Sequence, residues 1–379
     1  MEGRPALGLR PPYHAVVDRK LRSHLRRRGA SKEVIAEAER EGWLTLLAFE
    51  RTITPGPRRY TFPQIAAKAG VPLATAQRIW RAFGFPDPPM EDVAFTDHDV
   101  EALASALQLG RSTLAPSDSG DGIEELVQQI RVMGAALARI AEVQGDNLVR
   151  AVHAGQEAGL SDAEIARAVS NIDLAEGERL LAYGMRLQLR ATAWRRLALE
   201  TATDPEGVSY AVGFVDLVGY TALSQQLDEQ ELAALVTRFE ALAYDTVAQY
   251  GGRVVKTIGD EVMFVTPDVA TAARITLRLT ERSSTDDVLP DARAGLSCGE
   301  VVAREGDYYG AVVNLARRLV ELARPGTAVC SESVHEALAD DPGFTWRRLR
   351  TRRIRDIGPV ALWQLQSVAD TSELPTVTG

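Results

Sequence analysis

The periodicity of apolar residues changes character once along these 379 residues, at the turn Asp204-Pro205-Glu206-Gly207. Before it, apolar positions recur every three or four residues with Ala, Leu, Arg and Glu between them, and strand-like alternation is scarce. After it, short apolar runs of strand character alternate with helical stretches. A chain this long with 45% apolar residues can bury two cores, so two domains are expected, residues 1–203 and 204–379.

Charge follows the same division. The first half carries 26 basic and 26 acidic residues and the second 17 and 26, which places the whole net charge of -9 after the turn. An acidic second half argues against a broad nucleic-acid surface there, while local basic groups remain able to bind phosphate. Cys298 and Cys330 stand far apart in apolar or small-residue surroundings and read as free thiols of a reducing compartment. No run of eighteen apolar residues occurs, and Arg and Pro stand where a signal peptide needs an apolar core. A soluble, cytoplasmic protein is therefore expected.

In the helical half, Ser161 followed by Glu164 predicts a capped helix start. Loops are expected at Gly56-Pro57, from Pro86 to Pro89, and over residues 117–122. Residues 60–84 have a helix-turn-helix look: a first helix from Gln64 to Lys68, a turn at Gly70, and a second helix from Leu73 to Ala82 bearing Arg78 and Arg81. The zero net charge of this half sets DNA binding behind an intramolecular role. A last helix, about 176–203, places Leu180, Gly184, Leu187, Ala191, Trp194 and Ala198 four and three apart. This seam suits a stalk pairing two subunits, and equally one buried face of an ordinary helix.

Beyond the turn the expected elements are a strand from Val208 to Val215, a helix from about Asp228 to Gln249, and a hairpin from Arg253 to Val265. A strand over Ala292–Val302, a helix over Val312–Leu322, a strand over Thr327–Cys330, a helix over Ser331–Ala339 and a strand over Val360–Leu365 follow. The order implies α+β architecture around one mainly antiparallel sheet.

Three segments carry chemistry. Phe214-Val215-Asp216-Leu217-Val218-Gly219-Tyr220-Thr221 ends a strand with a carboxylate and continues through a Gly turn able to face phosphate, although a strand-end Asp is also a common turn residue. Lys256-Thr257-Ile258-Gly259-Asp260-Glu261 sits between apolar runs, so Gly259-Asp260 tips a tight hairpin where Asp260 can meet Asp216. Two converging carboxylates repel unless a divalent cation lies between them, and hard oxygen ligands suit Mg²⁺ or Mn²⁺ beside a nucleoside triphosphate. In the third, Asp307-Tyr308-Tyr309-Gly310 leads to Asn314 and Arg318, four apart on one helix face; alone they read equally well as solvated polar groups.

Together, Phe-x-Asp-Leu-x-Gly-Tyr-Thr, Lys-Thr-x-Gly-Asp and Val-Asn-x-Ala-x-Arg resemble class III adenylyl cyclases over roughly residues 207–366. The resemblance implies an all-α N-terminal regulatory domain followed by a ferredoxin-like, palm-type class III nucleotidyl cyclase domain. It implies ATP conversion to cyclic AMP and pyrophosphate with two divalent cations per site, Mg²⁺ or Mn²⁺. By the same resemblance Asp216, Leu217 and Asp260 form the metal site, and Lys256 with Asp307 reads adenine. Val218, Gly219, Tyr220 and Thr221 line the substrate, Asn314 orients the ribose, and Arg318 stabilises the transition state. Guanylyl cyclases of the family usually carry Glu and Cys, or similar residues, in place of the Lys and Asp. With one copy of each element, the chain is expected to act as a head-to-tail homodimer. Many relatives have a Lys near the domain end that touches the triphosphate; here Arg352, Arg353 and Arg355 stand there instead, with Arg355 preferred.

The layout also resembles soluble actinobacterial cyclases in which a helical domain restrains or releases the catalytic dimer. That implies an input such as protons or an apolar small molecule, with His24 and His153 able to titrate near neutrality. The alternatives weighed are a catalytically silent cyclase-fold regulator that binds DNA, and a guanylyl or diguanylate cyclase. The last needs Gly-Gly before its acidic pair, where Ile258 stands here.

Overall fold

The computed structural model describes residues 19–111, 122–202 and 209–367. The chain divides into two compact units, Met1–Gln188 and Leu189–Gly379. The first unit is helical: α1 (Arg19–Arg27), α2 (Lys32–Glu41), α3 (Leu44–Ile53), α4 (Phe62–Ala69), α5 (Leu73–Ala82), α6 (Asp97–Arg111), α7 (Gly122–Glu157), α8 (Asp162–Ser170), then α9 (Leu174–Ala202), within which the division falls. The turn at residues 204–207, and residues 117–121 of the expected loop, lie outside the described residues; Gly122 opens α7.

Two cores organise the helices. Leu21, Leu25, Ile35, Leu44 and Leu47 close on Ala163 and Ala166 of α8, and Phe62, Ile65, Ile79, Phe95, Leu126 and Ile130 form the other. Local chemistry marks the ends. The Ser161 and Thr61 backbone N–H groups donate to Glu164 and Gln64, each at 2.9 Å, completing capping boxes. Gly70 ends α4 with a φ of 74°, a left-handed cap that gives the expected turn into α5. On α5 both arginines are already occupied: Arg78 pairs with Glu124, and Arg81 donates to Asp87 at 3.0 and 2.6 Å.

The second unit contains β1 (Ser209–Leu217), α10 (Tyr220–Leu223), α11 (Glu229–Gln249), β2 (Arg253–Ile258), β3 (Glu261–Thr266), α12 (Val269–Ser284), β4 (Ala292–Glu300), β5 (Val302–Arg304), β6 (Asp307–Tyr309) and α13 (Ala311–Leu322). It continues with β7 (Ala328–Ser331), α14 (Glu332–Leu338), β8 (Phe344–Arg348), β9 (Arg352–Ile354), β10 (Gly358–Val360) and β11 (Leu362–Ser367). Seven strands form one sheet in the order β2-β3-β1-β4-β7-β11-β8, antiparallel except where β4 meets β7. The β1-α11-β2-β3-α12-β4 succession, with sheet order β4-β1-β3-β2, is the ferredoxin-like arrangement, so the α+β expectation holds.

One sheet face packs Val215, Phe264 and Leu296 against Phe239 of α11 and Ile275 and Leu279 of α12. On the other face Val313, Ala316 and Val320 of α13 cover Val212, Phe214 and Met263. Gly295 on β4 permits this close approach, because a Cβ there would stand 2.3 Å from the Ala316 carbonyl oxygen. The expected strand Ala292–Val302 is interrupted: β4 ends at Glu300, past Gly299 with a φ of 146°, and Val302 belongs to the β5–β6 hairpin. Helix α12 and strands β6, β8 and β9 were not anticipated, and the expected strand Val360–Leu365 is divided, with Val360 ending β10 beside β9 and Leu362 opening β11 of the main sheet. Among the described residues no helix is long and apolar enough to cross a membrane.

Candidate active site

Asp216 is the penultimate residue of β1, level with Glu261 of β3 on one side and Arg293 of β4 on the other. Arg293 donates from Nε and Nη2 to Asp216 Oδ2 at 2.9 and 2.7 Å. Asp260 lies in the β2–β3 turn, which Gly259 closes with a φ of 61°. The Leu217 N–H donates to the Asp260 carbonyl at 3.2 Å, tying the turn to the end of β1. The two carboxyl groups thereby face each other. Burial, and then the negative charge of Asp216, push the Asp260 carboxyl up to about 6.

Glu261 stands beside this pair and is also raised, mainly by burial, with Arg317 opposing the shift. The Arg317 Nη2 lies 3.1 Å from Glu261 Oε2, so α13 is tied to the base of the Asp260 turn. Past β1, Val218 donates to the Asp291 carbonyl at 2.8 Å, and Gly219 adopts a φ of 77° to start the single turn of α10 at Tyr220 and Thr221.

Lys256 lies on the edge strand at an irregularity in the β2–β3 register between Val254 and Lys256. Its Nζ donates to Asp307 Oδ2 at 2.5 Å, while the Tyr308 N–H donates to Oδ1 at 2.8 Å. Arg253 holds the same hairpin to β2 through the Gly306 carbonyl at 2.8 Å. Asn314 and Arg318 are both exposed on α13, and Arg318 donates to Glu321 Oε1 at 3.0 Å. Arg355 is exposed past β9, 3.7 Å from its neighbour Asp356.

Within one chain the expected residues therefore fall into separate groups. Asp216 meets Asp260, and Lys256 meets Asp307, whereas Asn314 and Arg318 face outward. Sequence reasoning missed Arg293, Glu261 and Arg317. An Arg among the small and apolar residues that begin β4 was the available signal for Arg293, but its partner depends on strand register.

Residues 206–367 match the family described as the adenylate and guanylate cyclase catalytic domain. The chain is 37% identical to an adenylate cyclase of Streptomyces coelicolor over 308 residues, covering 81% of this chain and 76% of that protein. This chain belongs to the class III cyclase family. The cyclase is also 32% identical over 341 residues to an adenylate cyclase of Glutamicibacter nicotianae, covering 85% of this chain and 82% of that protein. Among solved structures, the adenylyl cyclase CyaB from P. aeruginosa matches with a TM-score of 0.38 and 22% identity, covering 42% of this chain and 94% of that one.

Class III cyclases generally use divalent metals, and the donor set of this cyclase fits such an ion. Asp216 and Asp260 supply hard carboxylate oxygens whose mutual repulsion a cation would relieve. Among the described residues no group of three or more His, Cys, Asp and Glu side chains is arranged to cage a metal. Two carboxylates with the remaining positions left to water and substrate phosphates is the pattern that suits Mg²⁺.

Proposed function

We propose that this cyclase converts ATP into 3′,5′-cyclic AMP and pyrophosphate at composite sites of a head-to-tail homodimer. The observation that carries the reading is the Lys256–Asp307 pair, an ammonium donor held against a carboxylate acceptor beside the sheet edge. Adenine offers N1 as acceptor and its 6-amino group as donor, matching Lys256 and Asp307 respectively. Guanine presents the reverse pattern and would leave both groups badly paired. The relatives named adenylate cyclase support the same substrate.

Asp216 and Asp260, beside Leu217, would hold two divalent cations, Mg²⁺ or Mn²⁺. Bound there, such cations would supply Lewis-acid charge beside the ribose 3′-oxygen and the phosphates. Asn314 orients the ribose, and Arg318 places positive charge where negative charge develops at the α-phosphorus. Val218 to Thr221 follow the first metal carboxylate closely enough to line the triphosphate, and Arg355 serves as an outer phosphate contact. Arg293 fixes the orientation of Asp216 through its two-pronged contact.

The outward Asn314 and Arg318 support sharing between subunits, since each would complete the site whose carboxylates belong to the partner. Along α9, Leu180 and Trp194 of the heptad seam are 70% and 71% exposed in the single chain, which supports a stalk pairing two copies. The helical half then acts as the regulatory domain, with residues 1–203 before the catalytic domain 204–379. Its input is an apolar small molecule or protons, and His24 is placed to respond, its basicity lowered by burial and by Arg28 and Arg27. The acid-paired Arg78 and Arg81 favour an intramolecular role for α4 and α5 over DNA contact.

The test is cyclic nucleotide production by the purified full-length chain given ATP or GTP with Mn²⁺ or Mg²⁺. Cyclic AMP from ATP, with GTP turned over about 10²-fold less efficiently, is expected. Equal use of GTP would remove the purine assignment.

A further inference from the structure

At the sheet edge opposite β2, strands β7, β11 and β8 and the end of α13 surround a concavity of about 480 Å³. Val329 and Leu362, each 2% exposed, lie among its apolar lining. Arg324, Arg347, Arg348, Arg350 and Arg352 surround it, and among the described residues no carboxylate lines it. Strand register explains part of this arrangement. Arg347 pairs with Gln364, which lines the same concavity, and Arg348, also in the lining, pairs with Trp363 and lies over its ring at 5.8 Å.

Arg348 is occupied by the Trp363 ring, and the pairing of charges elsewhere makes the other four arginines unusual. The second half is acidic, and Arg238, Arg278, Arg293, Arg317 and Arg318 each have a carboxylate within 3.1 Å. Among the described residues, Arg324, Arg347, Arg350 and Arg352 have no ion-pair partner and donate no side-chain hydrogen bond. Four cations gathered around one cavity repel one another, and an anion relieves that cost.

We propose that this concavity is a binding site for an oligophosphate, a run of two or more linked phosphates, free or carried on a nucleoside. Guanidinium forks match phosphate oxygens in pairs, which a point-charge ammonium does not. The charge count favours a chain over a single group: orthophosphate brings at most about two negative charges to a cavity lined by five guanidiniums, and three linked phosphates about four. Shape separates this ligand from nucleic acid. The volume lies within the roughly 300–1,000 Å³ of small-molecule sites, while a nucleic-acid footprint is an extended basic stripe. None of the residues gathered around Asp216 and Asp260 lines it.

The experiment is calorimetric titration of the full-length chain with sodium tripolyphosphate in EDTA at about 0.1 M salt, beside orthophosphate and a non-hydrolysable ATP analogue. Saturable binding of one tripolyphosphate per chain, clearly tighter than orthophosphate, is expected. Affinity should fall at least tenfold in Arg347→Ser/Arg350→Ser and in Arg324→Gln/Arg352→Gln, both with wild-type thermal midpoints, and should persist in Arg318→Ala. Analogue binding that is lost in the same two double variants supports the site, at equal affinity showing that phosphates alone are read and at higher affinity that the nucleoside is read too. Analogue binding untouched by both double variants belongs to the catalytic site and, with tripolyphosphate binding equally untouched, would overturn the proposal. Absence of saturable binding at millimolar ligand, equal binding of orthophosphate, or loss only in Arg318→Ala would overturn it. So would duplex DNA that binds more tightly and depends on the same four arginines.

Discussion

The Nζ of Lys256 and the Oδ2 of Asp307 lie 2.5 Å apart although 51 residues separate them in the chain. The contact joins the edge strand β2 to the short β5–β6 hairpin, and in the proposed reading both groups turn to the purine. Lys256→Ala and Asp307→Ala should each lower kcat/KM for ATP by about 10²-fold, and together by less than the product, because the pair acts as a unit. Lys256→Glu with Asp307→Cys should shift preference toward GTP. Steady-state kinetics on both nucleotides decide this, and an unchanged ATP-to-GTP ratio in the double exchange would contradict it.

The Asp260 carboxyl predicts a particular pH dependence without metal. Its folded value of about 6 lies above the ordinary 3.8, so the folded state binds this proton more tightly than the unfolded state does. The resulting stability is fully present below pH 3.8 and is lost as pH rises through about 6. In EDTA, Asp260→Asn should therefore raise the thermal midpoint at pH 8 by on the order of 2–4 °C, the scale of about 1 kcal/mol after solvent screening, with a smaller gain at pH 5. Added Mn²⁺ should stabilise the wild type more at pH 8 than at pH 5, and the variant little at either. Thermal melts across pH test both statements.

Arg317 stabilises a half-buried carboxylate. Removing it leaves Glu261 without its countercharge, so Arg317→Ala should cost about 1 kcal/mol, and adding Glu261→Gln should recover most of the loss. Urea unfolding of the three variants measures this. If Arg317→Ala alone is silent, the bridge contributes nothing to holding α13 at the Asp260 turn.

Gly295 sets the depth at which α13 sits on the sheet. A methyl group there meets the Ala316 carbonyl oxygen at 2.3 Å and the Val320 nitrogen at 2.6 Å, both backbone atoms that yield only if the helix moves. Gly295→Ala should cost about 1–3 kcal/mol and lower kcat, since Asn314 and Arg318 ride on that helix. Chemical denaturation with parallel turnover assays tests the pairing of the two losses.

Local patterns made much of this architecture legible. Gly259-Asp260 between two apolar runs specifies a hairpin, Gly70 after a capped apolar turn specifies α4 to α5, and Ser161 with Glu164 specifies the start of α8. Strand β8 escaped notice because the alternation of Phe-Thr-Trp-Arg lasts only four residues before a second exposed arginine, and β9 and β6 because three residues show no period. Motif order led to Asp216, Asp260, Lys256 and Asp307. Arg293 and Glu261 flank Asp216 only through the register of three strands, which is a non-local property. Arg317 was passed over for the motif residue beside it, although a helix face turned toward the sheet carries its contact to Glu261.

In the proposed dimer one site draws its carboxylates from one subunit and Asn314 and Arg318 from the other. The most direct measurement is cyclic AMP formation by Asp216→Ala and Arg318→Ala proteins, separately and after mixing, with mixed dimers verified by native mass spectrometry. Each variant alone should be nearly inactive, and the mixture should recover about a quarter of wild-type activity, because half the dimers are mixed and each holds one intact site. Mixed dimers that form and yet stay at the level of the single variants would contradict the composite site.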